Sequence, residues 1–143
     1  MYFELDKALG YKVNRLAVIL RQTLAALFKE KGYDVTAEEW VLLNRLWQKD
    51  GRSQRDLAET TIRDQTTVTR LMDKMEKKGY VKRQHDSNDR RIVLAHLTPK
   101  GKSLEKKLIP IAVKMLQQAG EGISKKDLET TLNTLDKCIM NLM

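Results

Sequence analysis

The chain is expected to fold as a mainly α-helical domain with one small β-hairpin, and three observations predict it. Glycine and proline are scarce, 7 and 2 in 143 residues, so long irregular stretches are disfavoured and helix is favoured. Apolar side chains recur at spacings of three and four along most of the chain, the period of a half-buried helix. That period breaks between Tyr80 and Leu97, where two short β-prone runs flank a polar, charged stretch. Hydrophobic residues make up 41% and charged residues 32%, the composition of a chain that buries a core. The length suits a single domain, residues 1–143, without staples. Within it a core at about 36–100 is expected between helical arms at about 1–34 and 104–143.

Each element has a local cause. Leu5, Leu9, Val13, Leu16, Leu20, Leu24 and Leu27 share one face of a first helix over residues 5–30, and Lys31-Gly32 stops it. Thr36 and Glu39 form a T-x-x-E capping box that opens a second helix running to about Lys49, with Trp40, Leu43, Leu46 and Trp47 inward. Ser53 caps a short third helix from Gln54 to about Glu59, burying Leu57 and Ala58, and Thr60–Arg63 is a tight connection. The fourth helix runs from about Asp64 to Lys78, with Val68, Leu71, Met72 and Met75 in one stripe and Gly79 as its stop. Tyr80–Arg83 and Ile92–Leu97 are the hairpin strands, and Gln84–Arg91 is turn chemistry between them. Thr98-Pro99 starts a fifth helix that reaches about Ala119, with Pro110 expected to kink it. After Gly120 and Gly122, Ser124 caps a sixth helix, where Leu128, Leu132, Leu135, Ile139 and Leu142 recur at four-three-four-three.

Charge is distributed unevenly. Of the 27 Lys and Arg, 15 fall within residues 52–107, where Asp and Glu number 8; the flanks are near neutral. A basic middle is the asymmetry of a segment that binds a polyanion, with a solvated lysine-rich surface as the plainer alternative. The lone Cys138 has no disulfide partner in the chain, and it lies far from His85 and His96, so no metal spacing exists and no cofactor is expected. Catalysis finds no support: there is no nucleophile–His–carboxylate set and no phosphate-binding glycine loop. No apolar run is long enough for a membrane span, and the N-terminus lacks a signal-peptide pattern, so no membrane partner and a cytoplasmic location are expected.

Helix, turn, helix, hairpin is the order of a winged helix-turn-helix. Its second helix can lie in the major groove of duplex DNA, and its hairpin tip can reach the neighbouring minor groove. The face of the fourth helix opposite its apolar stripe carries Gln65, Thr66, Thr69, Arg70 and Lys74, with Thr67 on its flank. These are side chains that bond base edges and phosphates, though a merely polar helix face is the alternative. Arg52, Ser53 and Arg55 open the third helix, where hydroxyl and guanidinium groups can anchor a phosphate; capping and solvation alone would also account for them. In the hairpin tip Asp89 stands two residues before Arg91 and can hold its guanidinium extended, with an exposed ion pair of little worth as the plainer alternative.

These residues carry a resemblance. Asp56-Leu57-Ala58, Thr66-Thr67-Val68-Thr69-Arg70-Leu71, Glu76-Lys77-Lys78-Gly79-Tyr80-Val81, Asp86-x-x-Asp89-Arg90-Arg91 and Leu97-Thr98-x-x-Gly101 together resemble the MarR (multiple antibiotic resistance regulator) family over about residues 53–103. The resemblance implies a homodimeric winged-helix transcription regulator, often a repressor, that binds a pseudo-palindromic double-stranded DNA operator and is relieved by small-molecule or redox signals. By position it assigns major-groove reading to Gln65, Thr66, Thr67, Thr69 and Arg70. It assigns the wing to Arg90 and Arg91, oriented by Asp89. Thiol-sensing members carry a reactive cysteine in the first helix; here that helix has none, and Cys138 lies near the C-terminus.

The terminal stripes point to self-association. Leu5, Leu9, Val13 and Leu16 at one end and Leu128, Leu132, Leu135, Ile139 and Leu142 at the other exceed what the central core can cover, so they are read as a dimer seam, with packing inside one chain as the alternative. A small aromatic molecule is the candidate effector. Trp40, Trp47, Tyr11 and Tyr33 are candidates to line its cavity, although aromatics at helical spacing are more often plain core. The competing function is a winged-helix module for protein interaction or nonspecific DNA binding.

Overall fold

The computed structural model describes residues 1–61 and 63–143. They divide into two compact units, Met1–Ile111 and Ala112–Met143.

The first unit begins with a 3-10 turn, Leu5–Lys7, and helix α1, Leu9–Glu30. The single helix expected from residue 5 breaks at Ala8, which is extended (φ −74°, ψ 134°). No side chain caps α1 there, and Gly10 weakens its first turn. Helix α2, Ala37–Gln48, is opened by the capping box: Glu39 N–H donates to Thr36 Oγ1 at 3.1 Å and Thr36 N–H to Glu39 Oε1 at 3.0 Å. Helix α3 spans Gln54–Thr61, with the Ser53 hydroxyl accepting from Asp56 N–H at 3.0 Å. Helix α4 spans Gln65–Lys77, with the Asp64 carboxylate accepting from Thr67 N–H at 2.6 Å. The connection expected at Thr60–Arg63 includes Ile62, which lies outside the described residues.

Helices α2, α3 and α4 pack on one another through Leu42, Leu43, Leu46, Leu57, Val68, Leu71, Met72 and Met75, all buried. Each such side chain contributes about 1.5–3 kcal/mol of burial. Trp40 and Trp47 continue this packing beside Phe28, with ring centroids 5.5 Å (Phe28–Trp40) and 5.7 Å (Trp40–Trp47) apart. Helix α4 ends at a tight reversal. Gly79 (φ 79°) donates to the Glu76 carbonyl and Tyr80 N–H to that of Met75, a paired closure that needs a left-handed residue. The reversal turns the chain directly into the sheet.

The sheet has three strands rather than the two expected. Strands β2, Val81–His85, and β3, Val93–Leu97, form the antiparallel hairpin, with Arg83 opposite Ala95. Strand β1, Arg52–Ser53, pairs with the other edge of β3, Arg52 opposite Ala95. Two residues carry no readable alternation, so β1 exists only through its partner. Helix α5, Pro99–Ala119, runs through Pro110 without interruption.

Gly101 is where α5 crosses the hairpin base. A Cβ there would stand 2.1 Å from the Tyr80 carbonyl oxygen, and the Gly101 carbonyl accepts from Trp47 Nε1–H at 3.0 Å. Gly101→Ala is therefore expected to cost about 2–4 kcal/mol, because the obstacle is backbone that cannot rotate away. Urea denaturation measures it; an unchanged midpoint would contradict this tight crossing.

The second unit holds the end of α5, the Gly120–Gly122 turn and helix α6, Lys125–Leu142. Ser124 Oγ accepts from Asp127 N–H at 3.1 Å to cap α6. No residue of α6 is buried. Leu128, Leu132 and Ile139 are each about half exposed, Leu142 is 90% exposed, and Leu135 and Cys138 are half-buried. No helix among the described residues is long and apolar enough to cross a membrane.

Candidate nucleic-acid interface

Helix α4 is built with opposed faces. Its apolar stripe is buried, while Gln65, Thr66, Thr69, Arg70 and Lys74 are exposed and Thr67 is half-buried. The Asp64 carboxylate, bonded first by the Thr67 backbone N–H, is held below the ordinary carboxylate range, so a charged cap persists at the positive end of the helix. Arg70 lies 3.7 Å from the Glu38 carboxylate, and both side chains are about half exposed. Such a pair is worth under about 1 kcal/mol and releases Arg70 easily.

At the start of α3 the three residues expected to act together part company. Arg55 is exposed and pairs with Glu59 at 3.3 Å. Ser53 is half-buried and serves the cap. Arg52 turns inward: Nε–H donates to the Arg45 carbonyl at 2.9 Å and Nη1–H to Asp56 at 2.8 Å. Its pairing in β1 explains the turn, because alternate side chains of a strand leave opposite faces of the sheet.

The hairpin tip is ordered by its own carboxylates. Asp86 Oδ1 accepts from the N–H groups of Asn88 and Asp89 at 2.7 and 3.1 Å. Asp89 then grips Arg91 as a fork: Oδ1 accepts from Nε–H at 3.1 Å and Oδ2 from Nη2–H at 3.0 Å. The Arg91 side chain nevertheless remains 91% exposed. The hydrogen bonds from Arg91 hold the Asp89 carboxyl below its ordinary value, so the fork outlasts mild acid. Arg90 is exposed, and its carbonyl lies 2.7 Å from His85 Nδ1. A carbonyl only accepts, which puts the imidazole proton on Nδ1.

These parts converge. Ser53, Gln54, Arg55, Gln65, Asp89, Arg91, Ile92 and Val93 line one open groove of about 510 Å³ between α3, α4 and the hairpin. Arg83, Asp73 and Glu76, three groups that sequence reasoning missed, brace it together with Gln54. Arg83 of β2 bonds Asp73 and, at 3.2 Å, Glu76 of α4, while its Nη1–H donates to Gln54 Oε1 at 3.4 Å. Glu76 also accepts from the Arg83 backbone N–H at 3.0 Å, and this bond above all lowers its carboxyl pKa. A charge pairing between Glu76 and Arg83 is the one available signal, and it acquires meaning only after the Gly79 reversal lays β2 beside α4. No group of three or more metal-ligating side chains occurs among the described residues.

Comparison with known proteins agrees with this arrangement. Residues 35–93 match the model of the MarR family. SarZ, an HTH-type transcriptional regulator of Staphylococcus aureus, is 30% identical over 105 residues, covering 73% of this chain and 70% of SarZ. Among solved structures, the S. aureus MepR–DNA complex superposes with a TM-score of 0.87 at 25% identity, covering 95% of this chain and 99% of MepR. A probable transcriptional regulator from Pseudomonas aeruginosa gives 0.78 at 27% identity, covering 94% and 99%. A helix-turn-helix with an arginine-tipped hairpin, and likeness at this level over most of the chain, place the protein in the MarR family of DNA-binding transcriptional regulators.

Proposed function

We propose that the chain acts as a homodimer on a pseudo-palindromic operator, with α4 in the major groove, the hairpin tip in the adjacent minor groove, and repression as the outcome. The carrying observation is the Asp89–Arg91 fork. It holds an almost fully exposed guanidinium in place at the groove that Gln65, Ser53 and Arg55 also line. A pre-positioned arginine loses less rotamer freedom on docking, which favours a built contact over a solvated surface ion pair. Reading two half-sites about 34 Å apart requires two copies. The exposed stripe of Leu5, Leu9, Val13 and Leu16 in the first unit, and that of Leu128, Leu132, Ile139 and Leu142 in the second, supports pairing between copies.

Relief by an effector is part of the same proposal. A cleft of about 310 Å³ is lined by Arg21 and Gln22 of α1, Thr36 and Glu38 at the start of α2, and Arg70 and Lys74 of α4. Its three basic groups suit a small aromatic anion. A ligand there would touch α4 directly and act by favouring one helix position over another.

Competition binding tests the function. A site selected from random duplexes should be bound about 10³-fold or more above bulk DNA. Equal affinity for all duplexes would leave the alternative, a nonspecific or protein-binding module. Arg91→Ala is expected to weaken operator binding about tenfold and to reduce the salt slope by about one. Unchanged affinity across several salt concentrations would remove the hairpin tip from the interface.

A further inference from the structure

Arg83 stands on the middle rung of the hairpin, where support from the core runs out. Its partner across the rung is Ala95, and the inward side chains of β2 pass from buried Val81 through half-buried Arg83 to exposed His85. Apolar burial fixes the base of the hairpin, and polar bonds take over toward the tip. Arg83 makes them to two helices at once. Nη2–H donates to Asp73 and, at 3.2 Å, to Glu76 of α4, while Nη1–H donates to Gln54 Oε1 of α3 at 3.4 Å. Its backbone N–H adds a bond to Glu76 at 3.0 Å. Arg52 pins the opposite edge of the same sheet. It too lies opposite Ala95, on β1, and it bonds Arg45 of α2 and Asp56 of α3. The sheet is thus held on both sides of Ala95 rather than hinged on one.

We infer that Arg83 is a positioning residue that fixes the offset between the hairpin tip and α4, so that each half-site is read by one rigid frame. The inference rests on the proposed docking of α4 and the tip in adjacent grooves. The leverage is large. At about 3.3 Å per residue, the stretch from Arg83 to Asn88 spans about 16 Å, so a tilt of about 10° carries the tip about 3 Å. That is about one base-pair step of roughly 3.4 Å, enough to take Arg91 out of register with the bases under α4. The Asp89 fork orients Arg91 within the tip and does nothing against a tilt of the whole hairpin. A planar guanidinium with acceptors on two helices resists that tilt in more than one direction.

Selection of bound duplexes from a random pool, with competition binding on the full-length chain and its variants, tests this. The unaltered chain should return the bases read by α4 and, at one fixed offset from them, an A·T-rich flank read by the tip. Arg83→Met should keep the helix-read bases and bring the flank to within about twofold of indifference. A double-mutant cycle separates positioning from plain destabilisation. Arg91→Ala should cost about tenfold in the unaltered chain but no more than about twofold beside Arg83→Met, because the tip is already misplaced. Asp73→Asn with Glu76→Gln should return the same loosened flank. It leaves Arg83 in place and alters one exposed and one half-buried side chain, so folding is spared. Arg83→Lys, which keeps a cation between the two acids, should retain the flank. A flank unchanged by Arg83→Met, or an equal cost of Arg91→Ala in both backgrounds, overturns the inference and leaves the docking intact. No cost of Arg91→Ala in the unaltered chain overturns the docking of the tip and the inference together.

Discussion

With aspartate at both Leu128 and Leu132, the chain is expected to stay helical, to sediment as a monomer, and to lose about 100-fold or more in affinity for a two-half-site operator. Both leucines are about half exposed in the isolated chain, so no core contact is lost. The Ser124 cap is untouched, and aspartate costs a helix interior only about 0.5 kcal/mol per site. In a dimer joined through α6 the same positions would meet across a two-fold axis. Each leucine there gains about 1.5–3 kcal/mol from burial, whereas aspartates bring like charges together out of water. A monomer forfeits the effective concentration that the first bound half-site provides to the second, a factor of about 10²–10⁴. Sedimentation and competition binding on one- and two-half-site duplexes give the answer. A double variant that still sediments as a dimer would move the interface off α6.

Lys78→Met is expected to cost about 3 kcal/mol of folding stability, and Glu39→Gln in the same chain should recover most of it. Glu39 is fully buried. Its Oε1 accepts from Thr36 N–H at 3.0 Å and from Lys78 Nζ at 2.7 Å, and Oε2 is buried without a hydrogen-bond partner among the described residues. Removing the ammonium leaves a buried carboxylate uncompensated, for which about 3–5 kcal/mol is typical; Lys78 keeps 22% exposure, which argues for the lower end. Glutamine keeps the capping box and removes the charge. The pair also has a pH signature. Burial works against the ammonium, but the bond and charge of Glu39, then of Asp34, raise its pKa above the ordinary 10.5. A group raised in the folded state contributes fully below its unfolded value and loses that contribution as pH climbs through the folded one. Stability of the unaltered chain should therefore fall more steeply above pH 10.5 than that of Lys78→Met. Parallel slopes in alkaline denaturation would show that the pair is not the source.

Lys78 matters beyond its energy. It stands at the end of α4, and its ammonium also bonds the Asp34 carbonyl at 3.3 Å, which accepts from the Tyr80 hydroxyl at 2.8 Å as well. The far end of the proposed reading helix is thus tied to the segment that precedes α2. The sequence shows Glu39 as half of a capping box and Lys78 as the last residue of the fourth helix. Their pairing across 39 positions is invisible there, because it depends on how α2 and α4 cross.

Arg52 and Gln54 show the same boundary. Both stand beside Ser53 at the head of α3, where a basic, polar stretch reads as a phosphate anchor. The two-residue strand β1 then turns Arg52 toward Arg45 and Asp56. It leaves Gln54 between Arg83 and Thr69, a role that nothing within three residues of Gln54 announces. The Asp89–Arg91 fork was legible because its partners are two residues apart.

The sequence by itself determined the helices with their caps, the hairpin, the outward chemistry of α4 and the orientation of Arg91. Each follows from side chains within about four positions, and helix period, capping and tight turns act over that range. Only the tertiary structure decided the burial of Glu39 with Lys78, the third strand, and the Arg83–Gln54–Thr69 chain. These join groups 15 to 43 positions apart, and their hydrogen bonds acquire a partner and a direction only once packing has set which faces meet.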